Sequence, residues 1–230
     1  MSAERAIPEL TGPVEDYLKT IYELETRHGA AGTNEIAAAL RIAAPSVSGM
    51  IRRLSSQGLI THEPYKGVQL TREGRRAALK TIRRHRVIES YLTQALGYPW
   101  DRVHDEAERL EHAASDELID RMAAAIGEPE TDPHGAPIPT REGTLSAEPD
   151  LAALAELAEG GRARIARVGD RDGERLRYLT TLGMEIGAEV ELVSREPYDG
   201  PITVKVDGKR RVIGGELARH IFVEPKRKAR

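Results

Sequence analysis

At 230 residues the chain is long enough for one to three compact units with sizeable cores, and 40% hydrophobic and 31% charged residues with one Phe and one Trp describe a soluble, helix-rich protein. It has no cysteine, which excludes disulfides, iron–sulfur clusters, thiolate zinc and cysteine nucleophiles, so any bound metal must use oxygen and nitrogen donors. No apolar run reaches the length of a membrane span and the N-terminal MSAERAIPELTGP lacks a secretory pattern, so a cytoplasmic protein without a membrane partner is expected.

The net charge of −3 conceals an asymmetry: Ser46 to Arg86 holds ten basic and two acidic residues, whereas Asp105 to Asp132 holds ten acidic and two basic. A basic half suits a polyanion such as DNA, through contacts that weaken with salt. An acidic half suits a cation or a self-association surface.

In chain order, Val14 to Leu24 carries apolar residues at helical spacing. Thr33 reads as the N-cap of a short helix ending at Leu40, and a third helix starts at Ala44 with Pro45 in its first turn and Gly58 beyond its end. Two extended runs between Leu59 and Leu70, turning at Tyr65-Lys66-Gly67, form a hairpin of wing type, and Thr71 caps the helix that follows. Helix, short helix, turn, longer helix and hairpin is the order of a winged helix-turn-helix. Its third helix is the candidate for the major groove, with Pro45, Ser46, Ser48 and Gly49 at the leading end and Arg52, Arg53 and Lys66 as phosphate contacts. Winged helices also dock proteins; the neighbouring basic surplus favours DNA.

Two long helices follow, Arg75 to Leu96 and Val103 to Ile126, the second with an apolar stripe suited to a core or a dimer seam. On it, His104, Glu108, Glu111 and His112 fall within about 100° of arc at 100° per residue, and His85 and Glu89 pair at i, i+4 on the first. Asp-Pro-His-Gly-Ala-Pro-Ile-Pro139 stops helix formation, and His134 reads there as a turn residue. After a polar stretch, Ala163–Val168, Glu189–Val193, Pro201–Val206 and Arg211–Ile213 alternate as strands, the last two paired across Asp207-Gly208.

DYLKTIYELE, APSVSGMIRRL, RRHRVIESYL, VHDEAERLEHAASDE and DPHGAPIP, in that order over residues 14–139, resemble the diphtheria toxin repressor family of metal-dependent transcriptional regulators. The segments Leu179–Gly187, Gly200–Ile202 and Glu216–Val223 resemble that family's small SH3-like or FeoA-like domain. The resemblance implies a mainly α protein with a small β domain: a winged helix-turn-helix over 1–75, a helical metal-binding and dimerisation domain over 76–140, a linker over 141–158 and an SH3-like β-barrel over 159–230. It further implies a primary metal site from Asp16, Glu108, Glu111 and His112 and a second from His85, Glu89 and His104, to which the β domain's Asp172 or Glu174 adds an oxygen.

Iron-sensing members that this chain resembles place Met at the position of Asp16 and Cys at that of Glu108, while manganese-sensing members place carboxylates at both. Harder donors favour Mn²⁺, with Fe²⁺ as the alternative and two ions per subunit expected. Lys19 departs from the manganese pattern, which offers a further Glu there, and so weakens the expectation of a binuclear centre. The function implied is a homodimeric, Mn²⁺-activated regulator binding a palindromic operator, a repressor of metal-uptake genes. Two rivals are a carboxylate/histidine metalloenzyme, for which no substrate-pocket signature is present, and a metal-independent winged-helix regulator.

Overall fold

A computed structural model describes residues 10–63, 66–145, 150–169 and 172–225. The chain folds as two compact units: Met1–His85 with Leu110–Ser115 and Pro139–Leu145, and Arg86–Arg109 with Asp116–Ile138 and Ser146–Arg230. No helix among the described residues is long and apolar enough to cross a membrane.

The first unit begins with α1 (Gly12–His28), α2 (Thr33–Leu40) and α3 (Ala44–Ser56), followed by the antiparallel pair β1 (Ile60–Glu63) and β2 (Gly67–Leu70). α1 has Pro in its first turn and ends at Gly29, whose φ of 80° lets its N–H reach back to Glu25 O. The cap of α2 is Gly32 rather than Thr33; Glu35 accepts the Gly32 N–H at 2.8 Å, so the side chain that satisfies the helix start comes from its first turn. Leu18, Ile21, Ile36, Val47, Ile51, Leu54 and Val68 form one buried core, and Ala31 bridges to Val68. This is the expected winged helix; residues 64–65, where the hairpin tip with Tyr65 was expected, lie outside the described residues.

α4 (Arg72–Leu96) passes through both units. Thr71 caps it by accepting the Gly74 N–H at 3.1 Å. A Cβ on Gly74 would lie 1.9 Å from Leu59 O, so only glycine lets this helix start against the turn before β1.

The expected single helix over 103–126 is two: α5 (Val103–Leu110) and α6 (Asp116–Ala125). Between them the N–H groups of Ala113 and Ala114 both turn back to Leu110 O, and Ser115-Asp116-Glu117 supplies a fresh start, a capping-type residue followed by acids at the positive end of the new helix. Apolar spacing continued through this break and hid it.

In the second unit β3 (Ala152–Ala153), β4 (Arg162–Val168), α7 (Gly173–Leu182), β5 (Glu189–Arg195), β6 (Ile202–Val206), β7 (Lys209–Ile213), α8 (Gly215–Arg219) and β8 (Ile221–Pro225) build an antiparallel six-stranded sheet in the order β3-β8-β4-β5-β6-β7. Leu154, Ile165, Leu176, Leu179, Leu192, Val204 and Val223 fill its core. The end of the stretch read as linker is therefore structured, with Leu154 fully buried; runs of Ala beside it gave little hydrophobic contrast to read. β6 and β7 pair across Asp207 and Gly208, both at positive φ (46° and 82°), as the Asp-Gly turn requires.

Candidate metal centres and nucleic-acid interface

In the first unit, α1 brings Glu15, Asp16 and Lys19 to one end of the core, α4 brings Arg84 and His85, and the turn after α5 brings Glu111 and His112. A Cβ on Gly12 would lie 3.3 Å from the His112 ring, so the helix start itself seats the imidazole. The His112 Nε2 lies 2.8 Å from Asp16 Oδ1 and 3.6 Å from Glu111 Oε1, while Nδ1 lies 2.7 Å from Glu15 Oε2. One donor atom from each of Asp16, Glu111 and His112 falls within 4.8 Å of the others, the spread of a cation's ligand shell before it closes on an ion. Asp16 and His112 stay partly open to solvent, with side chains 39% and 27% exposed, so an ion can reach them.

Glu111 lies at the inner wall of this cluster, fully buried. The Lys19 Nζ donates to both of its oxygens at 3.1 Å and lies 3.2 Å from His85 Nδ1, which is itself 2.6 Å from Glu111 Oε2. Burial alone would raise the Glu111 pKa; the His85 hydrogen bond and the charge of Lys19 outweigh it and hold the carboxyl below its ordinary value. Burial would likewise depress His112, but the bond to Glu15 and the charges of Asp16, Glu111 and Glu15 raise it above the ordinary histidine value. The contacts thus hold Glu111 toward its charged form and His112 toward its protonated form, with the Lys19 side chain against the buried carboxylate.

A second group gathers in the other unit. His104 Nδ1 lies 3.4 Å from Glu89 Oε1 and its Nε2 3.8 Å from Glu108 Oε1 on the next turn of α5. On the other side of Glu89, His134 Nδ1 lies 3.8 Å from Oε2, and donor atoms of Glu89, Asp132 and His134 are all within 4.8 Å of one another. The side chains of these three are fully buried. His134 is held by its far side: Nε2 lies 2.8 Å from Trp100 O, which can only accept, so the ring donates from Nε2 and its Nδ1 faces the carboxylates. Asp132 Oδ1 accepts the N–H groups of His134 and Ala136 at 2.9 Å each, and Oδ2 lies 3.4 Å from Arg86 Nε. Two buried acids and an imidazole, with one guanidinium nearby, fit a divalent ion better than an apolar pocket.

Most of the expected ligands stand near one another, and the contacts of each can be read unit by unit. Asp16, Glu111 and His112 come together in the first unit and Glu89 and His104 in the second, where Glu108 also stands; His85 bonds to Glu111 in the first. Since Glu111 and His112 occupy the turn after α5, the shared helical arc fails for them, and only His104 and Glu108 retain it. Asp172 is the N-cap of α7, accepting the N–H groups of Glu174 and Arg175, and neither it nor Glu174 joins a metal-competent group among the described residues. Asp132 and His134 were missed: inside a Pro- and Gly-rich turn a histidine reads as turn chemistry, and only its burial reveals that the ring points inward. Asp-x-His, two donors at i, i+2, was the available signal.

On α3 the leading end is open: Pro45, Ser46 and Gly49 are exposed and so are Arg52 and Arg53 a turn later. Ser48 is half-buried and its hydroxyl donates to Ala44 O at 3.3 Å. Nothing lies within 4 Å of a Cβ placed on Gly49, so this point of the helix offers bare backbone to a close-fitting surface. Lys66 is exposed just before β2, 2.7 Å from Glu63.

A winged helix followed by carboxylate–histidine clusters defines a metal-responsive DNA-binding regulator, and similarity to known proteins agrees. Three family profiles match: "Iron dependent repressor, N-terminal DNA binding domain" over 9–68, "Iron dependent repressor, metal binding and dimerisation domain" over 71–140 and "FeoA domain" over 152–225. The diphtheria toxin repressor of Corynebacterium glutamicum is 34% identical over 225 residues, 94% of this chain and 97% of that one. The iron-dependent repressor IdeR of Mycobacterium tuberculosis is 37% identical over 131 residues, 57% of each. A solved structure described as a manganese-dependent transcriptional repressor complex with manganese superposes with a TM-score of 0.84 at 38% identity, covering 93% of this chain and all of that one. The chain belongs to the diphtheria toxin repressor family of metal-dependent transcriptional repressors, which are regulators and not enzymes.

Proposed function

We propose that the protein is a manganese(II)-activated repressor that binds a palindromic operator as a homodimer and controls metal-uptake genes. The observation that carries this reading is the Asp16, Glu111 and His112 cluster, which ties α1 of the DNA-reading domain to the turn after α5. An ion shared by the two segments favours the arrangement in which α1 sits against that turn, and a ligand shifts an equilibrium only by such differential affinity. In a two-fold dimer the metal then sets the spacing of two copies of α3 over two half-sites. Leu96 and Leu118 are exposed on the helices of the second unit, apolar surface suited to the dimer seam.

Manganese is favoured over iron(II) by the donor set: oxygen and nitrogen alone, with a carboxylate at Asp16. Because Mn²⁺ has the weaker intrinsic affinity, metal supply completes the selection in the cell. One ion is assigned to Asp16, Glu111 and His112. A second is assigned to Glu89, through Asp132 and His134 with His104 on its other oxygen. Lys19, a fixed charge between Glu111 and His85, replaces a further cation in the first cluster.

To test this reading, duplex is selected from a random-sequence pool by the full chain with Mn²⁺, with anaerobic Fe²⁺ and with chelator. An inverted repeat enriched with Mn²⁺ at lower free-metal concentration than with Fe²⁺ is expected; equal enrichment with chelator would contradict metal activation. Arg52→Ala should then weaken binding to all sequences alike and reduce the salt slope by about one unit.

A further inference from the structure

The His112 ring is held from both sides, and the two sides differ. Adjacent residues on a helix diverge by about 100°, so Glu15 and Asp16 reach the imidazole at different nitrogens: Nδ1 lies 2.7 Å from Glu15 Oε2 and Nε2 lies 2.8 Å from Asp16 Oδ1. Only the Nε2 side also approaches Glu111, at 3.6 Å. Glu15 is committed elsewhere as well, since its Oε1 is bonded by the Arg84 guanidinium, which also reaches Thr81 Oγ1 at 3.4 Å. The Glu15 and Arg84 side chains are only 12% and 14% exposed, so this pair is a fixed part of the packing between α1 and α4.

We propose that Glu15, held by Arg84, is the positioning residue of His112: it accepts the Nδ1–H and leaves Nε2 as the atom offered to the ion on Asp16 and Glu111. A histidine that binds metal through one nitrogen needs its other N–H anchored, and a carboxylate there fixes the ring and makes it a stronger donor; losing such a partner typically weakens metal binding about 10- to 100-fold. Arg84 completes the device. By occupying the other oxygen of Glu15 it keeps that carboxylate from swinging toward the cation and becoming a ligand itself. The inference rests on the Asp16, Glu111 and His112 site binding metal.

The test uses the full chain with ¹⁵N-labelled histidine and ¹¹³Cd²⁺ as a diamagnetic probe, beside Mn²⁺ affinity by titration. In the metal-free wild type the His112 Nδ1–H should be observable and slow to exchange, and E15A should abolish that signal with an unchanged helical circular dichroism spectrum. With ¹¹³Cd²⁺, coupling should appear at His112 Nε2. E15A should weaken Mn²⁺ binding at this site about 10- to 100-fold, and E15Q, whose amide oxygen still accepts, should recover most of the loss. Cadmium coupling to Nδ1, or wild-type Mn²⁺ affinity in E15A while H112A has lost the site, would overturn the proposal. Wild-type affinity in H112A would instead sink the metal site on which it rests.

Discussion

The two clusters use similar donors in opposite surroundings. Asp16 and His112 are partly open to water, and the charges around them are balanced by protein cations, Lys19 on Glu111 and Arg84 on Glu15. Glu89, Asp132 and His134 are buried to the last side-chain atom, within a turn clamped at several points: Val168 N donates to His134 O at 2.9 Å, Trp100 stacks on the His134 ring, and a Cβ on Gly135 would meet Ala166 O at 1.9 Å. An open, pre-charged site can exchange its ion with solution and report on supply. An ion taken up by a buried site would have to be enclosed as the unit folds, so under the proposed assignment it would contribute to stability more than to sensing.

Breaking the open cluster should have the largest effect on regulation. Asp16→Ala removes the ligand that belongs to α1, and the Mn²⁺-dependent gain in duplex affinity should be lost altogether while thermal stability changes little; fluorescence anisotropy of a selected duplex with and without Mn²⁺ measures this. Lys19→Met should come next, and it acts on the fold. Removing one partner of a buried ion pair costs about 3–5 kcal/mol, so the metal-free variant should unfold at markedly lower urea than the wild type. Added Mn²⁺ should narrow that gap, because it supplies Glu111 with another cation; an equal gap with and without metal would show that Lys19 and the ion do not share this carboxylate.

Glu89→Gln should separate the clusters, lowering bound Mn²⁺ from two ions to one per chain by equilibrium dialysis while the metal response of duplex binding persists. Trp100, the chain's single tryptophan, lies 5.8 Å from the His134 ring centroid and should report filling of the buried site by a fluorescence change that this variant loses. The smallest effect is the pH dependence. The folded pKa of His112 is raised, so in the metal-free protein its protonated form adds stability below the ordinary histidine pKa, and that increment is lost as pH rises through the folded value. Metal must displace the proton, so Mn²⁺ affinity should decline as pH falls through this range; affinity independent of pH would remove His112 from the ligand set.

Much of this was legible in the sequence because local chemistry was consistent. The winged helix showed itself through helical periods, Pro45 in a first turn, Gly58 beyond a helix end and Thr71 at a cap, and the β6–β7 hairpin through Asp207-Gly208. What failed depended on contacts between distant segments or on backbone choices that periodicity does not record. The apolar spacing of 103–126 ran unbroken across the turn at Glu111–Ser115, yet the break is what lets Glu111 point inward to Lys19 while His112 faces Asp16. Glu15 carried no separate signal, being an acid in a helix's first turn, and Asp132 carried only the Asp-x-His spacing inside a Pro-rich turn. Asp172 and Glu174 were expected as alternative oxygen donors from an acidic loop; Asp172 Oδ1 makes the capping bonds that an aspartate before a helix commonly makes, a role the sequence had not signalled.

The central claim is that metal on Asp16, Glu111 and His112 switches DNA binding. The most direct measurement is the affinity of wild type and His112→Ala for one selected inverted-repeat duplex across a free-Mn²⁺ titration at fixed salt and pH. Wild type should tighten by a factor of 100 or more, roughly the upper range of allosteric coupling, and His112→Ala should bind at the metal-free level throughout. Equal tightening in both proteins would contradict the account.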